Sequence, residues 1–286
     1  MMRTEGEPAV ARPAFRAGIP FALSTLGTTS VDRLRAEAPK TDLWFQLYVS
    51  KDHGRSQELL ARAKANGYTT LVLTVDVPVA GARLRDVYNG LTLPPTLSLR
   101  TLFAMAGKPA WLFDTLTTDP LSFEALGSGK DLVALFENAF DPRVTFSELE
   151  WLRSHWSGSI VIKGIQRLDD AREAVAAQVD GIAVSNHGGR QLDRSVAPLD
   201  LLPQIVQAVG TKAEVFLDGG VRSGSDVAAA VALGARAVFV GRPYLYALMA
   251  GGEAAVDRLL EIFAIDYRRT LQLLGVPRTA DLTADL

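Results

Sequence analysis

The 286-residue chain is 48% hydrophobic and 22% charged, with a formal net charge of −2 and no cysteine. That balance leaves no polybasic field for nucleic acid, and the lack of thiols excludes disulfides, thiolate nucleophiles and thiolate metal sites. Three histidines (His53, His155, His187) are too few for a histidine-rich metal centre, Met1–Pro8 lacks the apolar core of a signal peptide, and no apolar run reaches spanning length; the expectation is a soluble cytoplasmic enzyme.

In chain order, a helix-like stretch, Glu7–Gly18, comes first, although Pro13 within it normally disrupts a helix. A strand is predicted at Pro20–Ser24 and another at Leu43–Val49. A helix at Ser56–Asn66 and a strand at Thr70–Asp76 follow. From about residue 89 to 146 no strand is predicted; prolines, glycines, Trp111 and several Phe and Leu read as an insertion that forms a partly helical lid or an oligomer contact. Arg100, Lys108 and the apolar residues there make no basic amphipathic face for a membrane surface. The alternation then resumes: strands at Ser159–Lys163, Gly181–Ser185, Glu214–Asp218 and Ala237–Gly241, with helices at Leu168–Gln178, Leu199–Val209 and Ser225–Leu233 between them. Gly67, Gly210 and Gly234 follow three of the helices at positions suited to helix termination. Near-continuous apolar strands alternating with helices predict a parallel sheet covered on both faces. Length favours one α/β domain over 1–286, a TIM (β/α)8 barrel with about seven strands instead of eight.

Barrel active sites collect at the carboxyl ends of strands. This chain puts a different polar group at nearly every such end: Ser24, Gln46 with Tyr48, Thr74 with Asp76, Lys163, Ser185 with His187, Asp218 and Arg242. Lys163 ends an apolar run and either snorkels to the rim or meets an anion. Leu217-Asp218-Gly219-Gly220-Val221-Arg222-Ser223-Gly224 and Val240-Gly241-Arg242-Pro243 suit a phosphate, because glycines let backbone N–H groups approach and arginines add charge. Ser185-Asn186-His187-Gly188-Gly189-Arg190-Gln191-Leu192-Asp193 sets a base, His187, three residues from a planar cation, Arg190, which suggests chemistry on a small organic acid. Asp76 either caps a helix or pairs with an arginine, or faces His187 and stabilises its charged form. Arg83, on the loop after Asp76, reads plainly as a structural ion-pair partner. His53 and His155 receive no role.

The nine-residue motif resembles the signature of the FMN-dependent α-hydroxy acid oxidases and dehydrogenases, a family that includes glycolate oxidase, lactate oxidase, L-lactate dehydrogenase and mandelate dehydrogenase. Trp44-Phe45-Gln46-Leu47-Tyr48-Val49, Leu73-Thr74-Val75-Asp76-Val77-Pro78, Ile162-Lys163-Gly164-Ile165 and Asp218-Gly219-Gly220-Val221-Arg222 resemble further blocks in the same order. The resemblance implies an FMN cofactor and oxidation of a small L-2-hydroxy acid to the 2-keto acid. It implies His187 as base with Asp76 as its partner, Arg190 on the substrate carboxylate, Tyr48 on the substrate hydroxyl and Arg83 near the active site. Lys163 would sit at the pyrimidine end of the flavin, Ser24, Gln46, Thr74 and Ser185 along the isoalloxazine or ribityl chain, and Asp218 on the ribityl. Gly220, Arg222, Gly241 and Arg242 would hold the phosphate. Oxygen, a quinone or a protein would take the electrons, and a homo-oligomer such as a tetramer is implied, either free in the cytoplasm or peripheral to the inner face of the membrane. The family also implies a preceding segment with the first barrel strand and a second substrate-binding tyrosine, so the chain is expected to start after that strand. Two other readings stay open: a related FMN oxidoreductase acting on an amine or a peptide-derived group, and a catalytically weak flavin-binding remnant.

Overall fold

The computed structural model describes residues 3–90 and 141–286, with residues 103, 106–109, 112–113, 117–118 and 123–124 between them. The apolar runs form β1 (Phe21–Ser24), β2 (Leu43–Leu47), β3 (Thr70–Thr74), β4 (Ser159–Ile165), β5 (Gly181–Ser185), β6 (Glu214–Asp218) and β7 (Ala237–Phe239). All neighbours pair in parallel and in chain order, giving one seven-stranded sheet. Predicted strand ends shorten at β2, β3 and β7, so Tyr48 and Asp76 lie on the turns beyond them, and Arg242 opens the helix that follows β7. β4 instead continues to Ile165 through an irregularity at Gly164.

The helices are α1 (Pro8–Arg16), α2 (Val31–Glu37), α3 (His53–Ala65), α4 (Leu84–Tyr88), α5 (Glu148–His155), α6 (Leu168–Ala176), α7 (Pro198–Val209), α8 (Gly224–Ala232) and α9 (Arg242–Leu273), the last broken at Gly251 and Gly252. Ser30, Asp52 and Ser223 cap α2, α3 and α8 by accepting backbone N–H groups. The disruption expected from Pro13 does not occur. Pro8, Ala9, Val10, Ala11, Pro13 and Ala14 of α1 are buried, and Arg12 and Arg16 bind Glu253 of α9 at 2.6 and 2.7 Å; packing outweighs the lost backbone bond. Most of the insertion expected over 89–146 lies outside the described residues. Its far end returns to the sheet, where the Asp141 N–H donates to the Val49 carbonyl at 2.9 Å.

Strand periodicity sorts the side chains into two cores. Leu23, Phe45, Leu47, Leu71, Leu73, Ile160, Ile162, Ile182, Val184, Val215 and Leu217 face the helices in one continuous cluster. The opposite face carries Trp44, Val72, Val161, Ala183, Phe216 and Phe239, one from each of six strands. The Trp44 ring on β2 stands 6.2 Å from Phe216 on β6 and 6.1 Å from Phe239 on β7, both edge-on. Strands so far apart in the ladder touch only if the sheet curls, so this second cluster fills the inside of the curl. Among the described residues β1 and β7 each pair with one neighbour.

Candidate active site

The polar residues stand two positions beyond the inward apolar layer on five strands: Trp44 to Gln46, Val72 to Thr74, Val161 to Lys163, Ala183 to Ser185 and Phe216 to Asp218. Side chains two apart on a strand share a face. The ladder register matches Ser24 with Gln46, Thr74 with Lys163, and Ser185 with Asp218. The chain thus lays a polar floor over an apolar plug at the carboxyl end of the sheet.

The floor is hydrogen-bonded along its length. Ser24 Oγ donates to Gln46 Oε1 at 3.2 Å, and Gln46 Nε2 donates to Thr74 Oγ1 at 2.9 Å. Lys163 Nζ lies 2.7 Å from Asp218 Oδ2 and 3.2 Å from Ser185 Oγ, which itself donates to Asp218 at 2.6 Å. The buried end of the Lys163 stem is therefore answered by a carboxylate and a hydroxyl, which settles the choice between snorkelling and meeting an anion in favour of the anion.

Above the floor, His187 Nδ1 is 3.0 Å from Asp76 Oδ1, with the two side chains 22% and 4% exposed. A carboxylate only accepts, so Nδ1 carries the proton and Nε2 is left with its lone pair. His187 has φ +55°, in the left-handed region that side chains seldom occupy, and Gly188 and Gly189 continue it at +67° and +73°. Its own N–H donates to Ser185 Oγ at 3.0 Å. Strain of this kind costs about 1–3 kcal/mol and collects where function fixes a side chain. Asp76 reaches the imidazole because Gly164 on the intervening strand leaves room: a Cβ there would stand 2.6 Å from Asp76 Cβ. A glycine inside a strand signals such an approach; Gly164 was not singled out in the sequence.

Tyr48, Arg83 and Arg190 share the space beside the imidazole. Burial first, then the Asp76 carboxylate, push the Tyr48 hydroxyl above the usual phenol range, against the pull of Arg83 and Arg190. Desolvation first, then Arg83, lower Arg190 from the usual guanidinium value. Neither arginine has a salt bridge among the described residues, so the structural ion pair expected of Arg83 is not found there. Two guanidiniums within electrostatic reach of one half-buried phenol supply charge suited to a carboxylate.

The phosphate motifs meet at the other end of the floor. Arg242, at the start of α9, donates to the Gly188 carbonyl at 2.9 Å and borders a cavity of about 300 Å³ lined also by Asn186, Gly189, Gly219 and Gly220. Gly219 and Gly220 have φ +111° and +82°, and a Cβ on Gly219 would stand 3.0 Å from Asn186 Oδ1. Gly241 caps α9 with no atom within 4 Å of where a Cβ would project. Arg222 is exposed on the same turn, its N–H held by Asp226 at 2.8 Å. Of the residues predicted for the phosphate, Gly220 and Arg242 line this cavity, whereas Arg222 and Gly241 are not among its lining residues; the floor lies between it and the His187–Asp76 contact. An amide, hydroxyls and an ammonium flanked by an anion cradle fit the hydrogen-bonding rim and phosphate of FMN. Gln191, Asn186 and Gly81 are the site residues to which the sequence assigned nothing; the first two stood inside a motif, and nothing in the pattern marked the third.

A family model described as FMN-dependent dehydrogenase matches residues 1–286. A Mycobacterium tuberculosis protein is 51% identical over 284 residues, 99% of this chain and 69% of its own length. An L-lactate dehydrogenase of Caulobacter vibrioides is 45% identical over 99% of this chain and 75% of its own. Among solved structures, that of the monotopic membrane protein (S)-mandelate dehydrogenase superimposes with a TM-score of 0.94 at 38% identity, covering 99% of this chain and 76% of that one. Mandelate oxidase with (S)-2-phenylpropionate gives a TM-score of 0.78 at 40% identity over 96% of this chain and 71% of that one.

Proposed function

The chain belongs to the FMN-dependent dehydrogenase family, and from that premise we propose how its residues divide the oxidation of a small 2-hydroxy acid to the 2-keto acid. The flavin, when bound, would accept the two electrons and one of the two protons that leave the substrate. His187 takes up the proton that the substrate releases, at Nε2, because Nδ1 is committed to Asp76. Asp76 steadies the imidazolium that results and fixes the ring's orientation. Arg190 grips the substrate carboxylate through paired N–H groups, with Arg83 adding charge beside it. Tyr48 hydrogen-bonds the substrate hydroxyl, and burial keeps it protonated for that purpose. Lys163 would bring positive charge to the pyrimidine end of a bound flavin, and Ser24, Gln46, Thr74, Ser185 and Asp218 would line its ring and ribityl chain. Gly220, Arg222, Gly241 and Arg242 hold the phosphate.

The observation that carries this reading is the His187–Asp76 contact standing beside a guanidinium pair and over a polar floor. Anaerobic bleaching of the FMN spectrum with a panel of L- and D-2-hydroxy acids tests it; lactate, glycolate and mandelate are the first members. Bleaching by L-acids is expected, whereas bleaching by amines alone would sink the proposal. Readmitting air, then a quinone, identifies the acceptor.

We propose further that the protein is a homo-oligomer of the cytoplasm, peripheral to the inner face of the membrane. The exposed apolar side chains Val79, Leu84, Val87 and Tyr88 beyond β3 support docking through that rim. Among the described residues no helix is long and apolar enough to cross a membrane. Liposome flotation and light scattering test both points.

A further inference from the structure

Gln191 follows Arg190 in the turn after β5 and has no part in the reaction outlined above. Its Nε2 donates to the carbonyl oxygens of Asp76 at 3.3 Å and Val79 at 3.1 Å. One side-chain amide therefore fastens the segment after β3 at two points. The main chains lie equally close: a Cβ on Gly81 would overlap the Arg190 carbonyl oxygen and stand 2.8 Å from Gln191 Cα. Gln191 Oε1 is buried and unpartnered among the described residues, so the amide is aimed by its N–H groups alone.

Since β4 lies between β3 and β5, residues 76–83 form a strap that crosses over it. The strap carries Asp76 at one end and Arg83 at the other. The turn beneath carries His187 and Arg190. Arg83 and Arg190 bear like charges and repel each other, while the Asp86 carboxylate acts on Arg190 in the opposite sense. The two hydrogen bonds from Gln191, one at the Asp76 end of the strap and one at Val79 in its middle, oppose any outward displacement.

We propose that Gln191 is a positioning residue that holds the Asp76–Arg83 strap shut over the His187–Arg190 turn and thereby sets the affinity for the substrate carboxylate. The inference rests on the reading of Arg190 as the carboxylate ligand. A site closed before the substrate arrives loses less freedom on binding, which appears in KM more than in kcat.

The test uses the FMN-loaded enzyme with Gln191→Leu, Gln191→Glu and Gly81→Ala. Gln191→Leu removes both donors, Gln191→Glu keeps the size but not the N–H groups, and Gly81→Ala wedges the strap away from Arg190. Each is expected to raise KM for the 2-hydroxy acid roughly tenfold, the scale of one or two neutral hydrogen bonds, with a smaller fall in kcat. FMN content should stay at the wild-type value, Tm should fall by only about 2–4 °C, and amide exchange over residues 77–83 should quicken several-fold. Unchanged KM with unchanged exchange would overturn the inference. So would a uniform loss of kcat, FMN and Tm, the mark of a merely structural role. A wild-type enzyme bleached by no 2-hydroxy acid would defeat the functional reading instead, while exchange, which needs no substrate, judges the strap by itself.

Discussion

His187 Nδ1 and Asp76 Oδ1 meet at 3.0 Å although 111 residues separate them in the chain. A strand and a glycine between the two elements make the meeting possible, and in the proposed reaction this pair holds the proton. His187→Ala is expected to slow flavin reduction by about 10²- to 10⁴-fold, the usual worth of a positioned base. Asp76→Asn, which keeps the shape but removes the charge, should cost less than that. Stopped-flow bleaching at saturating 2-hydroxy acid checks both, and an unaffected rate in His187→Ala would remove the base from the scheme.

Gly164→Ala forces a Cβ to 2.6 Å from that of Asp76 and places a side chain at φ +108°. A loss of about 1–3 kcal/mol in stability follows from the backbone strain. Displacement of Asp76 should lower the reduction rate at least as far as Asp76→Asn does. Thermal unfolding and stopped flow read the two effects separately; a variant with wild-type kinetics would show that Asp76 need not lie where it does.

Arg190→Met removes the paired donors for the substrate carboxylate. Charge-assisted hydrogen bonds contribute about 1.5–3 kcal/mol, so KM should rise about 10- to 100-fold. Arg190→Lys restores charge without the planar fork and should recover only part of the loss. Steady-state kinetics with an artificial dye acceptor measures this.

Lys163→Met leaves the Asp218 carboxylate without its cation. Fully buried pairs lose about 3–5 kcal/mol when one partner is removed. These side chains keep 13% and 15% exposure, so a smaller loss, about 1–3 kcal/mol, is expected, together with weaker FMN retention. Chemical unfolding and FMN titration test it. The double variant Lys163→Met/Asp218→Leu should regain stability but not flavin.

Three tyrosines govern the alkaline limit. Burial raises the hydroxyls of Tyr48, Tyr68 and Tyr244 above the ordinary phenol value of 10.0. A raised folded value means the native state holds its protons longer than the unfolded chain. The stability this gives is fully present below pH 10 and is lost as pH rises further. Tyr48→Phe should flatten part of that decline, measured as ΔG against pH. At the acid end the Arg143 guanidinium holds Asp141 at about 2, below 3.8. That contribution is present above pH 3.8 and vanishes as pH falls through about 2; Asp141→Asn should remove it.

Strands and the polar residues at their ends were legible because a buried parallel strand must be apolar along its length and only its end can afford a Lys or an Asp. The family was legible for the same reason, since its motifs sit at those ends. α1 was misjudged at Pro13 because the local rule does not contain the docking of Arg12 and Arg16 onto Glu253. Residues 91–102 and 125–140 lie outside the described residues, and with them most of the predicted insertion.

Residue identity alone therefore determined the parallel α/β plan, the flavin and hydroxy-acid chemistry, and the list of side chains proposed to carry it. Tertiary structure decided their relations. Curling of the sheet stacks Trp44 on Phe216 and Phe239 and lifts the polar floor onto one inner face. The gap at Gly164 lets Asp76 reach His187, and the Gln191 amide ties down the strap that bears Arg83. Composition and periodicity act over a few residues, whereas these contacts join segments up to 111 positions apart, and only the packed backbone sets distances on that scale.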